Sequence, residues 1–149
     1  MTEIFIDGDA CPVKDEVYAV AARIGLAVIV VANQRINVPQ DLGVEMIVVE
    51  DGPDAADDWI AEEIRAKDVV ITADIPLAAR CLEVGAYALG TNGREFTSES
   101  IGGALATREI KASIRETGVF TGGPAPMTQR VRSRFSSELD RIVHRAMRD

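Results

Sequence analysis

The sequence predicts a doubly wound α/β domain with a mainly parallel five-stranded sheet sandwiched between helices. Apolar runs of strand length alternate with segments whose apolar residues recur at helical spacing. The runs are apolar at nearly every position, which is typical of parallel strands covered on both faces. Right-handed crossovers between such strands favour the doubly wound arrangement. The 149 residues suit one domain that spans the whole chain, 1–149.

The first half of the chain contains three predicted strands. The first, 2–7, is followed by a helix at 12–25 that begins near a proline and ends on a glycine. The second strand, 26–32, is apolar throughout. A loop rich in asparagine, proline and glycine covers 33–43, and the third strand follows at 44–50.

The second half continues the alternation of helix and strand. Its predicted elements are a helix at 51–66 with an aspartate-rich first turn, a strand at 68–74, a helix at 74–85, a short fifth strand at 86–90, a helix at 98–118, a Gly/Pro loop at 119–127 and a last helix capped by Thr128. The apolar residues of the last helix lie along one side.

Charge and composition limit the function classes. The formal net charge is −8, and a strongly acidic body disfavours non-specific binding to nucleic acid because it repels phosphate. The last segment, 128–149, is rich in arginine and could hold phosphates locally, although a solvated helix face is the alternative. No apolar stretch approaches the roughly 20 residues of a membrane span, and the N-terminus does not resemble a signal peptide. We therefore expect a cytoplasmic protein with no membrane partner.

The two cysteines, Cys11 and Cys81, give neither a disulfide framework nor a metal-binding spacing. We expect Cys81 to be a small buried apolar residue. Cys11 follows two aspartates, and neighbouring carboxylates raise a thiol pKa, so we expect a poor nucleophile.

Acidic residues gather where the predicted strands end. They are Asp7 and Asp9 after the first strand, Asp54, Asp57 and Asp58 in the loop and first helical turn that lead to the fourth strand, and Asp74 after the fourth strand. In a doubly wound sheet the ligand crevice lies beyond the carboxyl ends of the strands, so these side chains should meet at one edge. Carboxylates within a few ångströms repel by about 1 kcal/mol or more per pair, and Mg²⁺ or Mn²⁺ would cancel this repulsion. Helix capping is the alternative reading for Asp54, Asp57 and Asp74.

Three further residues fall near the same predicted edge and are candidates for contact with a substrate phosphate. Lys14 lies in the first turn of the first helix, Asn33 follows the second strand, and Arg94 follows the fifth. The alternatives are a surface lysine, a polar loop and an Asn-Gly turn, respectively.

Several motifs together resemble a known family. They are DGDACPVK, VANQ, VEDGPDAADDWIAE, ITADIPLAARCLEVGA, TNGREFT and GGPAPMTQR followed by RSRF, in order along essentially the whole chain. Their combination resembles the YaiI/YqxD family of bacterial proteins of unknown function. The resemblance implies a fold similar to the PIN-like nucleases, in which a parallel sheet of order 3-2-1-4-5 gathers acidic residues that bind Mg²⁺ or Mn²⁺ and cleave RNA.

Carried onto this chain, the resemblance implies specific site residues. The first-strand acids would be Asp7 and Asp9, and the third acid would be Asp74. The mid-chain acid would be Asp58, with Asp57 or Asp54 as its companion.

The leading hypothesis is a metal-dependent phosphodiesterase or ribonuclease in which Asp7, Asp9, Asp58 and Asp74 hold Mg²⁺ or Mn²⁺. A second hypothesis is a haloacid-dehalogenase-like phosphatase, because DGD places two aspartates after the first strand, the first as nucleophile and the second as acid-base. A third is a non-catalytic module that binds RNA or another partner and keeps a relic metal site. Aromatic residues make up only 5% of the chain, which leaves few stacking surfaces for bases.

Overall fold

A computed structural model of the chain describes residues 2–8, 11–39, 43–50, 52, 54–101 and 127–148. Its elements in chain order are β1 (Glu3–Asp7), α1 (Lys14–Ile24), β2 (Ala27–Ala32), β3 (Val44–Val48), α2 (Ala55–Glu63), β4 (Val69–Ile71), α3 (Ile75–Glu83), β5 (Tyr87–Leu89), β6 (Glu95–Phe96) and α4 (Gln129–Arg148). Residues 98–101 are also helical. The rest of the helix predicted at 98–118, and most of the loop predicted at 119–127, lie outside the described residues.

The strands form one sheet in the order β3-β2-β1-β4-β5-β6. The first five strands are parallel and follow the order 3-2-1-4-5, which confirms the predicted doubly wound α/β class. The sixth strand is a correction to the predicted five. It is antiparallel to β5 and only two residues long, too short to produce a hydrophobic pattern in the sequence.

Both faces of the sheet are covered, as the continuous apolar strands predict. Ile4 and Ile6 of β1 pack in a core beneath α1 and α4, whereas Phe5 packs in a second core beneath α2 and α3. Cys81 belongs to the second core and is fully buried, as expected. Within the described residues, no helix combines the length and apolar character that crossing a bilayer requires.

The helix ends follow the sequence signals in most places. Gly25 caps the C-terminus of α1 with φ of 89°, and the Thr128 Oγ1 accepts a hydrogen bond from the Val131 N–H at 3.2 Å at the start of α4. Asp74 caps α3 by accepting from the Leu77 N–H at 3.0 Å. Asp54 occupies the N-cap position of α2, but its side chain makes no capping hydrogen bond there. The capping alternative therefore holds for Asp74 and not for Asp54.

Candidate functional site

The candidate site lies at the carboxyl ends of β1 and β4, two adjacent strands at the centre of the sheet. The chain leaves β1 toward β2 on one side, and β4 and β5 lie on the other, so the strand order reverses between β1 and β4. Ligand crevices of doubly wound sheets form at such a switch point. The register pairs Ile6 of β1 with Ile71 of β4, which brings the ends of both strands level.

Asp7 and Asp74 are joined through the hydroxyl of Thr72. The Thr72 Oγ1 donates to Oδ2 of Asp7 at 3.0 Å and accepts from the Asp74 N–H at 3.0 Å. Only 1% of the surface of Thr72 is exposed, so this hydroxyl is shielded from water and its hydrogen bonds are strong. The two aspartates therefore belong to one network at one edge, as the sequence predicts.

Asp57, in the first turn of α2, is the third acid of this network. Burial and the nearby charge of Asp74, followed by those of Asp7 and Asp54, raise the pKa of Asp57 from 3.8 to about 7, and a side-chain hydrogen bond with Asp74 acts in the same direction. A carboxyl group with such a pKa holds a proton over much of the range below neutral pH. Three carboxyl groups from β1, α2 and the start of α3 thus meet at the switch point. We call Asp7, Asp57 and Asp74 the acidic cluster.

Asp58 points away from this cluster. Its Oδ1 accepts from the Arg80 Nη1 at 2.8 Å, and 57% of its side chain is exposed. The structure therefore places Asp57, and not Asp58, beside Asp7 and Asp74. The reason is the rotation of α2, because the buried residues Ala56 and Ile60 fix which side of the helix faces the sheet.

The close packing around Gly8 explains why a glycine stands between the two aspartates of the DGD motif. A Cβ atom at this position would lie 2.9 Å from the Val30 Cγ1, which is closer than Cβ atoms approach other atoms, and 3.1 Å from the Val31 carbonyl oxygen, which is an unusually tight contact. The chain therefore passes close against β2 directly after Asp7. Asp9, the second acid of the motif, lies outside the described residues.

Two arginines of α4 form hydrogen bonds with loops at the edge of the sheet that carries the acidic cluster. The Arg132 Nη1 donates to the Pro12 carbonyl oxygen and to Oε1 of Glu16, both at 2.9 Å. Arg134 donates from Nε and Nη2 to the Asn92 carbonyl oxygen, at 3.2 and 3.0 Å. The RSRF motif thus fastens the loop after β1 and the loop after β5 to one helix.

The loop after β5 also fits tightly against α4. Gly93 has φ of 87°, and a Cβ atom there would lie 3.2 Å from both the N and the Cα of Phe135. The Asn92 Oδ1 accepts from the Arg94 N–H at 3.0 Å, whereas the side chain of Arg94 is exposed. The predicted Asn-Gly turn is therefore present, and it presents Arg94 to solvent.

The remaining predicted contact residues stabilise loops at this edge. The Lys14 Nζ donates to the Cys11 carbonyl oxygen at 2.9 Å. Asn33 donates from Nδ2 to the carbonyl oxygens of Glu50 and Gly52, both at 3.4 Å. The contacts of Asn33 agree with its interpretation as part of a polar loop, and the Lys14 side chain is bound to the loop after β1. A contact with substrate stays a prediction for both residues.

Cys11 is buried beside this edge. Burial is the main cause that raises the pKa of its thiol, and the charges of Asp7 and Glu16 raise it to a smaller extent. The expected weak nucleophile is consistent with this environment, although burial contributes more than the neighbouring carboxylates.

The described part of the chain contains no group of three or more His, Cys, Asp or Glu side chains placed to hold a metal ion. The acidic cluster therefore does not by itself form a multidentate protein cage. Mg²⁺ does not need one, because it commonly binds one or two carboxylates and completes its octahedron with water. Carboxylate oxygens are the donors that Mg²⁺ and Mn²⁺ prefer, whereas zinc sites generally include His or Cys.

Comparison with known families identifies the chain. The family described as "Uncharacterized BCR, YaiI/YqxD family" matches residues 5–145. The chain belongs to the YaiI/YqxD family. A UPF0178 protein of Paramagnetospirillum magneticum is 57% identical over 99% of this chain and 98% of its own length. UPF0178 proteins of Caulobacter sp. and Rhodopseudomonas palustris are 55% and 53% identical over 99% of this chain, and over 98% and 94% of their own lengths.

No solved structure matches this YaiI/YqxD chain. The geometry at the sheet edge is therefore the main guide to what the protein does. The geometry at this edge adds two residues, Asp57 and Thr72, to those that the sequence predicts for the site. The sequence motifs indicate Asp57 only as a companion of Asp58, and they do not single out Thr72, although a threonine between a buried strand and the aspartate of TAD is a candidate for such a bridge.

Proposed function

We propose that this protein is a divalent-metal-dependent phosphodiesterase that cleaves RNA, with Mg²⁺ or Mn²⁺ bound by the acidic cluster. The observation that carries the proposal is the convergence of Asp7, Asp57 and Asp74 at the switch point of the sheet. When all three carboxyl groups are ionised their mutual repulsion is costly, and a divalent ion would remove that cost. Asp9, two residues beyond Asp7, is proposed as a further ligand.

Thr72 and Asp57 have distinct roles in this proposal. Thr72 keeps Asp7 and the backbone of Asp74 in fixed relative positions. Asp57, whose pKa is raised to about 7, would have to lose its proton to hold the ion, so metal binding below neutral pH would release a proton. When bound, the ion would orient and acidify a water molecule and stabilise negative charge on the phosphoryl oxygens.

Basic side chains around the cluster support a phosphate-containing substrate. Lys14 and Arg134 donate to backbone carbonyl oxygens, and neither has a carboxylate partner among the described residues. Arg94, at the same edge, is exposed. Cations placed beside an acidic cluster in a protein of net charge −8 indicate an anionic substrate. RNA is the substrate that the family resemblance implies, and it fits the cytoplasmic location expected from the sequence.

The test is Mn²⁺-dependent cleavage of a 5′-labelled single-stranded RNA by the wild-type protein and three variants. We expect Asp57→Asn and Asp74→Asn to lower the cleavage rate by at least about 100-fold, since a lost ligand should exceed the 10–100-fold effect typical of groups behind the ligands. Asp58→Asn is the matched control, because it makes the same chemical change on the same helix at an exposed ion pair. We expect its rate to stay close to that of the wild type.

Two results would contradict the proposal. One is an absence of cleavage by the wild-type protein with either metal, and the other is full activity in both Asp57→Asn and Asp74→Asn. RNA binding without cleavage would support the non-catalytic module instead. A phosphorylated Asp7 trapped during turnover of a phosphate monoester would support the phosphatase.

A further inference from the structure

We infer that Arg94, Arg130 and Arg134 form a phosphate-binding track for a single-stranded RNA beside the acidic cluster. The inference rests on the proposed function, since it assigns the position of the substrate strand relative to that site. The track comprises the exposed side chain after the Asn-Gly turn and two exposed arginines in the first two turns of α4.

The arginines of α4 fall into two groups. Arg148, at the C-terminal end of the helix, has no carboxylate partner among the described residues, whereas Arg141 is paired to Glu138 and Arg145 is paired to Glu95. Arg132 is paired to Glu16. The three paired arginines contact Glu16 of α1, Glu95 of β6 or Glu138 of α4 itself, so their charges are neutralised.

The track arginines lack such partners. Arg134 donates two hydrogen bonds to a neutral carbonyl oxygen, that of Asn92, so its positive charge is not neutralised. Within the described residues, the side chains of Arg94 and Arg130 make no hydrogen bond or ion pair. All three are exposed, and none forms an ion pair with a carboxylate of the described residues.

The three side chains are neighbours. Arg130 and Arg134 are four residues apart on α4 and therefore lie on the same side of the helix. Arg94 follows Asn92 by two residues, and the Asn92 carbonyl oxygen is the group that Arg134 contacts. The contact between the loop and the helix thus makes one continuous positive surface from two separate segments.

This surface adjoins the acidic cluster. The Thr72 N–H donates to the Leu89 carbonyl oxygen at 3.2 Å, so the loop after β5 starts next to the segment that carries Asp74. Strands in a sheet are about 4.8 Å apart, which places the end of β5 on the order of 10 Å from the end of β1. An RNA strand bound to the track would therefore pass the acidic cluster within a few nucleotides of its bound phosphates.

The side chains of the track indicate which features of the RNA strand would be recognised. Arginine forks match phosphate oxygens, and exposed aromatic side chains suitable for base stacking are absent from the described part of this edge. We therefore expect recognition of the backbone with little preference for base sequence. The acidic body limits the contact to this local surface, so the affinity should depend strongly on salt.

The experiment measures binding of a short fluorescein-labelled single-stranded RNA in EDTA, where metal-dependent cleavage cannot occur. The dissociation constant is determined over a range of salt concentrations for the wild type and for the double variant Arg94→Gln/Arg130→Gln. Each lost phosphate contact should lower the slope of log Kd against log salt by about 0.7, so the double variant should lose about 1.4. Both side chains are exposed and form no hydrogen bond or ion pair with the described residues, so the fold should be unaffected.

Arg148→Gln is the matched control. Arg148 is an exposed arginine at the other end of α4, and its substitution removes one positive charge where the double variant removes two, so the effects are compared per charge. We expect its slope to equal that of the wild type. Equal slopes for the wild type and the double variant, an equal effect per charge from Arg148→Gln, or no binding by the wild type would each overturn the inference.

The results separate this inference from the proposed function. A salt slope that falls in the double variant, together with no metal-dependent cleavage by the wild type, would retain the track and reject the phosphodiesterase. Cleavage that requires Asp57 and Asp74, with a salt slope unchanged in the double variant, would retain the phosphodiesterase and reject the track.

Discussion

The hydroxyl of Thr72 donates to Oδ2 of Asp7 at 3.0 Å and so links the ends of two adjacent strands that are 65 residues apart in the chain. The same oxygen accepts from the Asp74 N–H. One buried hydroxyl therefore fixes the position of the first acid and the backbone of the last. The geometry of the acidic cluster depends on a residue that carries no charge.

Thr72→Val should reduce the free energy of unfolding by about 1–3 kcal/mol. The substitution keeps the shape of the side chain but leaves the Asp74 N–H and an Asp7 oxygen without this partner. Urea unfolding measures the change. Thr72→Ser is the control, because it keeps the hydroxyl and loses only a methyl group. Equal stability of the Val and Ser variants would show that the hydroxyl does not carry the stabilisation.

The pH dependence of the free energy of unfolding should show the titration of Asp57. Its pKa is raised from 3.8 to about 7 in the folded protein, chiefly by burial and then by the charge of Asp74. Between these two values the folded state holds a proton that the unfolded state has released. The contribution of Asp57 to the free energy of unfolding therefore falls as the pH rises from about 4 to about 7, and changes little above that range.

The measurement is urea unfolding of the wild type and Asp57→Asn at several pH values. The variant lacks the titrating group, so its stability relative to the wild type should increase over this pH range. A ¹³C NMR titration of the Asp57 carboxyl group should give a midpoint near neutral pH. Parallel stability curves, or a midpoint close to 4, would contradict the prediction.

Gly93→Ala should destabilise the protein more than Gly25→Ala. Both glycines have φ near +90°, so an alanine at either position carries a similar backbone strain of about 1–2 kcal/mol. A Cβ atom at Gly25 would meet nothing within 4 Å, whereas one at Gly93 would press on the backbone of Phe135.

Thermal unfolding of the two glycine variants therefore isolates the contact between the loop after β5 and α4. The excess loss in Gly93→Ala reports the tight fit of that loop. If the two variants lose the same stability, the loop can move away from α4 at no cost, and its described position is not required for folding.

The central features of the fold could be predicted from the sequence, because each parallel strand is a continuous apolar run bounded by turn residues. The meeting of Asp7 and Asp74 could also be predicted, since both follow central strands and parallel strands end at the same edge. The two-residue strand Glu95–Phe96 could not, because its pairing with β5 is a tertiary contact with no periodic signal.

The choice between Asp57 and Asp58 was within reach of the sequence. Consecutive residues of a helix differ in direction by about 100°, so Asp58 lies almost opposite the stripe formed by Ala56 and Ile60. Asp57 lies beside that stripe and can reach the sheet edge. The bridging role of Thr72 was harder to find, because it depends on the exact register of β1 against β4.

The pairing of β1 with β4 has a consequence for the newly made chain. While the protein is being synthesised, β2 can join β1 early, but β4 leaves the ribosome some 40 residues later. Until then β1 is an edge strand, with its apolar residues and unpaired backbone groups open to other chains. A product truncated before Val69 should therefore be prone to aggregation, and its Asp7 would not yet have met Thr72.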